Sequence, residues 1–546
     1  MTKQMHAVTI AEVPLRTNKA VFGVRFQNWM VNEGPKRIFL TLWILANIGY
    51  FAYSWWALWT DKNLTTFRSI LGWALPTARG AANLLNFNCA AILFTVCRNL
   101  ISILRTTFLN KLVPFDKNIT FHIVIAWCIA FWSYVHCVAH YFNYLYVQQA
   151  LTDDNGVMRT AVSLALLSGP GLTGQVITIA FFLMITSAVE GVRRKYFEIF
   201  WFTHHLFIVF FGATLIHGSF CFIKGDSGDP CRGGATFWKW WVPSAFIFIV
   251  ERILREVKGR RKTYISKVVQ HPSKVVEVQI TKPSCKTEAG QYIFLCCPEI
   301  AAYEWHPFTL TSSPHEPFIS VHIRVVGDWT TKFAERLGCR FGKDDKPRHN
   351  TLPYVMVDGP YGSASEDVFD YEVAILVGAG IGVTPFASIL KTIWYRLSQP
   401  NGLKLLKKVY FIWSCREQSA FEWFQDLLKT LEEDIRQNGP KFQNFLSINS
   451  FLTAKMSSDN AHNIYLQEAD EENDLDAITG LRARTFFGRP NFDEIFKKVR
   501  STHRGTDVGV FFCGPKVVSG KLHIACNTWT EAEPGGTRFF YGKENF

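Results

Sequence analysis

Six histidines fall in stretches where a chain seldom places ionisable groups. His122, His136 and His140 lie in one charge-free run, and His204, His205 and His217 in another. Such residues at membrane depth are costly and mark function. A lone histidine on an apolar face is usually satisfied by a nearby carbonyl, but two runs that each carry a separated pair are harder to dismiss. On an ideal helix the step from His122 to His136 rotates by about 1400°, some 40° short of four turns, so both share a face about 21 Å apart. His204 and His217 lie about 19.5 Å apart. With the helices parallel, His122 pairs with His204 and His136 with His217, and each pair could ligate one haem iron through imidazole nitrogen. The shorter step in the second run rotates by only about 1300°, so that helix is expected to be overwound, tilted or locally distorted. Rotation alone does not choose between His204 and His205. Arg79 opens an earlier run. It is either an arginine snorkelling to water, a partner for haem propionates, or a positive charge near the outer haem edge. His140, one turn beyond His136 on the same face, could line a small polar pocket above that haem.

The elements that must hold these residues are visible in the charge pattern. The chain has 546 residues with a net charge of +13; 48% are hydrophobic and only 19% charged. That balance excludes a disordered chain, and Gly 37 and Cys 13 exclude collagenous and disulfide-scaffold classes. Charge-free runs cover 38–60, 80–97, 118–152, 160–189, 199–223 and 240–250. About 20 apolar residues span a bilayer, so six transmembrane helices are expected, the last extending past Glu251. Lys and Arg cluster in the N-terminal arm, at Arg98–Lys117, at Arg193–Lys195 and at Arg252–Lys262. The positive-inside rule then puts both termini in the cytosol, and the first 37 residues lack the apolar core of a secretory signal. The basic clusters at Arg193–Lys195 and Lys258–Lys262 could also dock cytosolic activators or anionic lipid. Asn63-Leu64-Thr65 forms a glycosylation sequon in the first outer loop. Cys221 and Cys231 share the last outer loop, either as a disulfide or as two thiols.

From about Thr263 the pattern changes. TYISKVVQHP, KVVEVQITKP and GQYIFLCCP alternate like strands and are broken by Pro and Gly, which suits a small antiparallel β-barrel. Near Tyr371 a second module begins. YEVAILVGAGIGVTPFASILKTIW reads as a buried strand, a loop with Gly378, Gly380 and Gly382, then a helix whose N-terminus favours phosphate. KKVYFIWSCRE and GVFFCGP read as further parallel strands, with ligands expected at their carboxyl ends. Arg416 and Arg489 could hold a ribose 2′-phosphate, and the acidic run Glu468–Asp476 reads as a solvated loop.

These motifs together resemble the NADPH oxidase family, most of all its short fungal A-type members. The matching segments include VNEG (Val31–Gly34), LNFNC (Leu85–Cys89), FWFTHHLF (Phe200–Phe207), EWHPFTLTS (Glu304–Ser312), VGDWT (Val326–Thr330), VDGPYG (Val357–Gly362), GAGIGVTPFASIL (Gly378–Leu390), CGP (Cys513–Pro515) and the terminal KENF. The resemblance implies a six-helix, ferric-reductase-like α-helical membrane domain and a ferredoxin-NADP-reductase-like module of β-barrel and α/β domains. The expected boundaries are an arm at 1–36, the di-haem domain at 37–260, an FAD barrel at 261–368 and an NADPH domain at 369–546. It implies His122, His136, His204 and His217 as ligands of two b-type haems. His306, Pro307, Phe308 and Thr309 would contact FAD, with His322, Arg324 and Thr330 toward its phosphates. Gly378, Gly380, Gly382, Thr384, Pro385, Arg416, Arg489 and Cys513 would bind NADPH. Phe546 would cover the flavin ring, and Arg79 and His140 would flank the oxygen site. Implied partners are cytosolic activators, including a Rac-type GTPase and an activator subunit, together with a small membrane subunit; nucleic acid is not expected. The first 30 residues depart from the family pattern, the loop from Gly218 to Phe237 is shorter than in the phagocyte enzyme, and no D-x-D-x-D-G calcium loop occurs. The expected reaction moves electrons from NADPH through FAD and haem to oxygen, yielding superoxide. The alternatives are a ferric or cupric chelate reductase of the same architecture, and a proton channel or transporter using the histidines as a relay.

Overall fold

The computed structural model describes residues 18–154, 160–220, 226, 228, 235–341, 351–399, 402–437, 444–454 and 475–544. Cys221, Cys231, Phe546 and most of the acidic run lie outside the described residues. The chain divides into two units: Arg37–Leu254 forms one, and the residues up to Lys36 join Arg255 onward in the other.

The first unit is helical. Among the described residues, Gly34–Thr60, Phe115–Ala150, Gly169–Ser187 and Phe197–Ser219 are long and apolar enough to cross a membrane, and Ala74–Phe94 makes a fifth when counted with Arg98–Arg105, bent from it by 78°. The sixth expected span is the helix Trp238–Gly259. It is less apolar than the others because Lys239, Glu251, Arg252, Arg255, Glu256 and Lys258 interrupt it. Glu251 is buried for a local reason: its carboxylate accepts hydrogen bonds from the backbone N (2.7 Å) and Nδ2 (3.0 Å) of Asn99, capping Arg98–Arg105 where helix N–H groups lack partners. Leu42, Trp56, Trp127 and Phe202 are exposed, as suits a surface that meets hydrocarbon. Some polar side chains inside the unit pair with one another. Asn88 Nδ2 donates to Asn47 Oδ1 (2.7 Å), which also accepts from Trp132 Nε1 (3.2 Å).

In the second unit the alternating segments form a barrel of two three-stranded antiparallel sheets. The strands are β1 (Tyr264–His271), β2 (Val275–Thr281), β3 (Tyr292–Cys296), β4 (His306–Thr309), β5 (Ile319–Arg324) and β6 (Met356–Tyr361), ordered β1-β2-β5 and β4-β3-β6. Every second residue, including Val276, Val278, Ile280, Val321 and Ile323, points into one shared core. Arg255, one of the basic residues expected at the cytosolic surface, is instead buried and paired with Asp358 of the VDGPYG segment at 2.8 Å; Tyr361 donates to the same carboxylate at 2.6 Å.

The α/β domain follows, with β7 (Val373–Ala379), β8 (Lys408–Cys415), β9 (Leu446–Leu452), β10 (Phe486–Phe487), β11 (Asp507–Cys513) and β12 (Arg538–Lys543). The sheet is parallel throughout, in the order β10-β9-β8-β7-β11-β12. Strand β7 is apolar without alternation because both faces are covered: Val373, Ile375 and Val377 pack on one side and Ala374 and Leu376 on the other. Asp476 is not solvated as expected. It is buried and accepts hydrogen bonds from Thr479 and Thr485, backbone and side chain, organising the turn before β10. Of the N-terminal arm, residues 18–36 are described, and they join the second unit. A helix Asn18–Asn32 docks on the α/β domain, where Asn32 of VNEG donates to Phe539 O (2.8 Å) and accepts from Tyr541 N (2.9 Å), and Glu33 meets His523 at 2.7 Å.

Candidate functional site

The two histidine pairs converge as their spacing predicts. The His122 and His204 ring centroids lie 6.3 Å apart, and those of His136 and His217 6.2 Å apart. Two imidazoles bonded axially to one metal, with bonds of about 2 Å, put their centroids about 6 Å apart, so the gaps fit one iron each. Nδ1 of three of the four rings is held from behind: His122 by Thr95 Oγ1 (2.8 Å), His136 by Ala78 O (2.8 Å) and His217 by Thr173 Oγ1 (3.0 Å). That leaves Nε2 as the free ligand atom, the usual arrangement behind a metal-bound histidine. Nδ1 of His204 is buried without a hydrogen-bond partner among the described residues.

The rotational deficit of the fifth span is met by a break. One helix ends at His204, His205 and Leu206 form a turn, and the next helix begins at Phe207. There His205 N and Leu206 N bond to Phe202 O and Thr203 O, three residues back, which is tighter winding than an α-helix. The turn also separates the two neighbouring histidines. His204 faces His122, while His205 Nδ1 folds back on Trp201 O at 2.7 Å. His140 packs edge-on against His136 at 4.5 Å and lies within electrostatic reach of Arg79. Arg79 directly follows Ala78, whose carbonyl holds His136.

In the reductase unit the predicted residues come from distant strands. His306 stacks on Trp329 (4.1 Å, 29° between planes), and Trp329 stacks in turn on Phe333. Burial holds the His306 imidazole below its ordinary pKa although Glu304 lies 3.6 Å away. Thr330 Oγ1 accepts from Gly327 N (3.0 Å) and Val326 N (3.1 Å), capping the helix Asp328–Arg336 and setting Trp329 under His306. Pro307 is exposed, Phe308 half-buried, and Arg324 exposed. His322 Nδ1 bonds to Thr311 Oγ1 at 2.8 Å.

Thr309, the last residue of the flavin segment, donates to Thr384 Oγ1 of the glycine loop at 2.6 Å, inside a buried seam. More hydroxyls extend the seam: Ser388 to Ser312 O (2.7 Å) and Ser313 with Thr392 (3.2 Å). Pro385 follows Thr384 in the first turn of the helix Thr384–Leu397. The loop itself sits at the switch point of the sheet. Strands β8 to β10 extend from β7 to one side and β11 and β12 to the other, and Gly378 at the end of β7 pairs with Cys513 at the end of β11. Ligands of open α/β sheets bind at such a crevice. A Cβ on Gly382 would lie 2.4 Å from Cys513 O, and Gly380 has φ +57°, so both positions demand glycine. Burial pushes the Cys513 thiol well above its usual pKa, so it presents a neutral thiol. Arg416 follows β8 and Arg489 follows β10; both are exposed at strand carboxyl ends.

Sequence reasoning missed participants in three places. Trp329 was visible within VGDWT but not singled out. Ser363 and Ser365 receive the buried Glu544 of KENF, which accepts from Ser363 Oγ (2.8 Å) and Ser365 N (2.8 Å) and so fixes the end of the C-terminal strand. The third is Asn32, described above.

Comparison with known proteins follows the same division. Residues 80–215 match the family model "Ferric reductase like transmembrane component", 260–365 "FAD-binding domain" and 371–527 "Ferric reductase NAD binding domain". Over 95% of its length the chain is 43% identical to a superoxide-generating NADPH oxidase heavy chain of Dictyostelium discoideum, covering 98% of that protein. The chain belongs to the NADPH oxidase family. It is likewise 39% identical to NADPH oxidase 1 of Mus musculus and 38% to NADPH oxidase 3 of Homo sapiens, each over 95% of its own length. As a member of that family it is a membrane oxidoreductase with FAD, NADPH and haem as cofactors, and its two-module reductase half is the one the motifs implied.

Proposed function

We propose that this NADPH oxidase carries electrons from cytosolic NADPH across the membrane to oxygen and releases superoxide, with His122/His204 and His136/His217 clamping two b-type haems. The observation that carries the assignment is the pair of facing imidazole gaps, 6.3 and 6.2 Å between centroids, with Nδ1 anchored behind three of the four rings. When bound, the flavin turns a two-electron hydride donor into single electrons and the haems relay them one at a time. The chain's own residues set the geometry of that relay. His306 and Trp329 form an aromatic wall for the flavin, and Thr309 and Thr384 tie it to the loop that receives NADPH. Gly380 and Gly382 let the backbone approach the dinucleotide, and Arg416 and Arg489 offer charge for its 2′-phosphate. Phe546 is assigned to the flavin face on family resemblance.

His136 and His217 would together hold the outer haem iron, which would leave oxygen to be reduced at the edge of that site. There Arg79 supplies positive charge in a low-dielectric setting for an anionic product, and His140 lines the pocket beside His136. Both termini are assigned to the cytosol, with the basic helix Glu190–Lys195 on the same side. A small membrane subunit, with a Rac-type GTPase and a further activator protein, is proposed to act there, on family resemblance.

The test is His217→Ala in purified membranes. Half of the haem absorbance per FAD should vanish, and NADPH-driven, dismutase-sensitive superoxide should fall by more than about 100-fold. Retention of both haems would reject the pairing. Superoxide formation by the unaltered chain without added ferric or cupric chelate separates an oxidase from a chelate reductase.

A further inference from the structure

The barrel carries a second histidine cluster that the electron relay does not use. His271 ends β1, Glu277 lies in β2 and His322 in β5. Antiparallel pairing sets Glu277 directly opposite His322, and His271 sits diagonally across from Glu277, two residues beyond its partner Val269. The three side chains therefore share one face, away from the core formed by Val276, Val278, Val321 and Ile323.

Their ligand atoms converge. Glu277 Oε2 lies 3.5 Å from His271 Nε2 and 3.8 Å from His322 Nε2, and one donor atom from each residue lies within 4.8 Å of the other two. His271 Nε2 is buried and meets Glu277 Oε2 at 3.5 Å, too far for a well-formed hydrogen bond. Donors bonded at about 2.0–2.2 Å to one tetrahedral ion sit about 3.3–3.5 Å apart, so small side-chain movements suffice to close on a cation. The outer atoms are already fixed. Gln279 Nε2 donates to Glu277 Oε1 at 3.0 Å, and Thr311 holds His322 Nδ1 at 2.8 Å while bonding Ser320 at 2.8 Å. Such outward support is what a metal-bound histidine or carboxylate requires. Lys391, the neighbouring cation, is engaged by Glu316 at 3.2 Å.

We propose that His271, Glu277 and His322 form a binding site for one divalent first-row transition-metal ion, separate from both haem positions. Two imidazoles and one carboxylate suit zinc or ferrous iron and leave at least one position for water. The site faces the α/β domain. Trp423 of that domain lies 4.6 Å from the His322 ring, and Ser419 receives a hydrogen bond from Ser273, in the β1–β2 turn, at 2.9 Å. An ion here joins three strands of the barrel where it meets the nucleotide-binding domain. Zinc has no redox chemistry, so the site stands or falls independently of the proposed electron path.

The experiment uses the full chain, loaded with haem and FAD, dialysed against a chelator and titrated with zinc alone by equilibrium dialysis. Unaltered protein should bind one equivalent more than Glu277→Gln or His271→Asn, or bind it at least about tenfold more tightly, with unchanged haem absorbance. His315→Ala, outside the cluster, should match the unaltered protein. Zinc should also shield His271 and His322 of the unaltered protein from diethyl pyrocarbonate, read by peptide mass spectrometry, which needs no variant to fold. Equal zinc binding by unaltered protein and Glu277→Gln, or modification of both histidines undiminished by zinc, overturns the proposal.

Discussion

The membrane unit and the reductase unit place their functional groups by different means. In the first, position along a helix is position in space: His122 and His136 sit on one helix and define two depths at once. In the second, no element carries a site by itself. The flavin wall needs β4 and the helix Asp328–Arg336, and the nucleotide crevice needs the ends of β7 and β11, separated by more than a hundred residues of chain. A helix acts as a ruler because its repeat is local; a sheet acts as a meeting place because strand order is a property of the whole domain. The two units also differ in what an error costs. A change of helix phase removes a ligand, whereas a change at a crevice shifts a close approach.

The contrast is broken most severely by an insertion. One alanine added between Gly212 and Ala213 turns His217 by about 100° relative to His204. The outer haem should be lost and the inner one kept, with superoxide output down more than about 100-fold. An unchanged haem ratio in the purified protein would show that the ruler picture is wrong.

Next in size is the buried ion pair of the reductase unit. Arg255→Met leaves Asp358 without its cation and should destabilise the barrel by about 3–5 kcal/mol, read as earlier thermal release of FAD. Adding Asp358→Leu should recover part of the loss, because the charge left unpaired is then gone.

Gly382→Ala should act more gently and locally. Its methyl group meets Cys513 O, so the loop must retreat. KM for NADPH should rise at least about tenfold, equivalent to about 1.4 kcal/mol, with FAD and haem contents unaltered.

The smallest effect concerns pH. His503, bonded to the Tyr410 hydroxyl at 2.9 Å, is held below its ordinary pKa by burial and then by Lys408. The unfolded chain therefore takes up the proton first as pH falls through about 6.5, so this site stabilises the fold above that pH and less below it. Protection factors around β8, taken relative to the intrinsic amide exchange rate at each pH, should fall on acidification in the unaltered protein and change less in His503→Gln.

The spacing of four histidines, the charge-free runs, the barrel alternation and the strand–glycine loop–helix segment were all legible, because each is a local pattern with a local physical cause. Even the distortion between His204 and His217 followed from the deficit in rotation. The residues that escaped were those whose role depends on what folds against them. Trp329 counts only because a helix cap aims it at His306, and Glu544 only because Ser363 and Ser365 lie in its path. Arg255 and Asp476 look like ordinary surface charges until tertiary contacts bury them.

Composition and periodicity alone thus determined a helical membrane half, a barrel, a dinucleotide loop and two depths for paired imidazoles, since these depend on repeats of 3.6 and 2.0 residues that any stretch of chain displays. The tertiary structure decided which of two adjacent histidines turns inward, which strand ends meet across the sheet, where the N-terminal arm docks and which charges are buried. Those outcomes depend on contacts between residues far apart in sequence, and no local pattern encodes a distant partner.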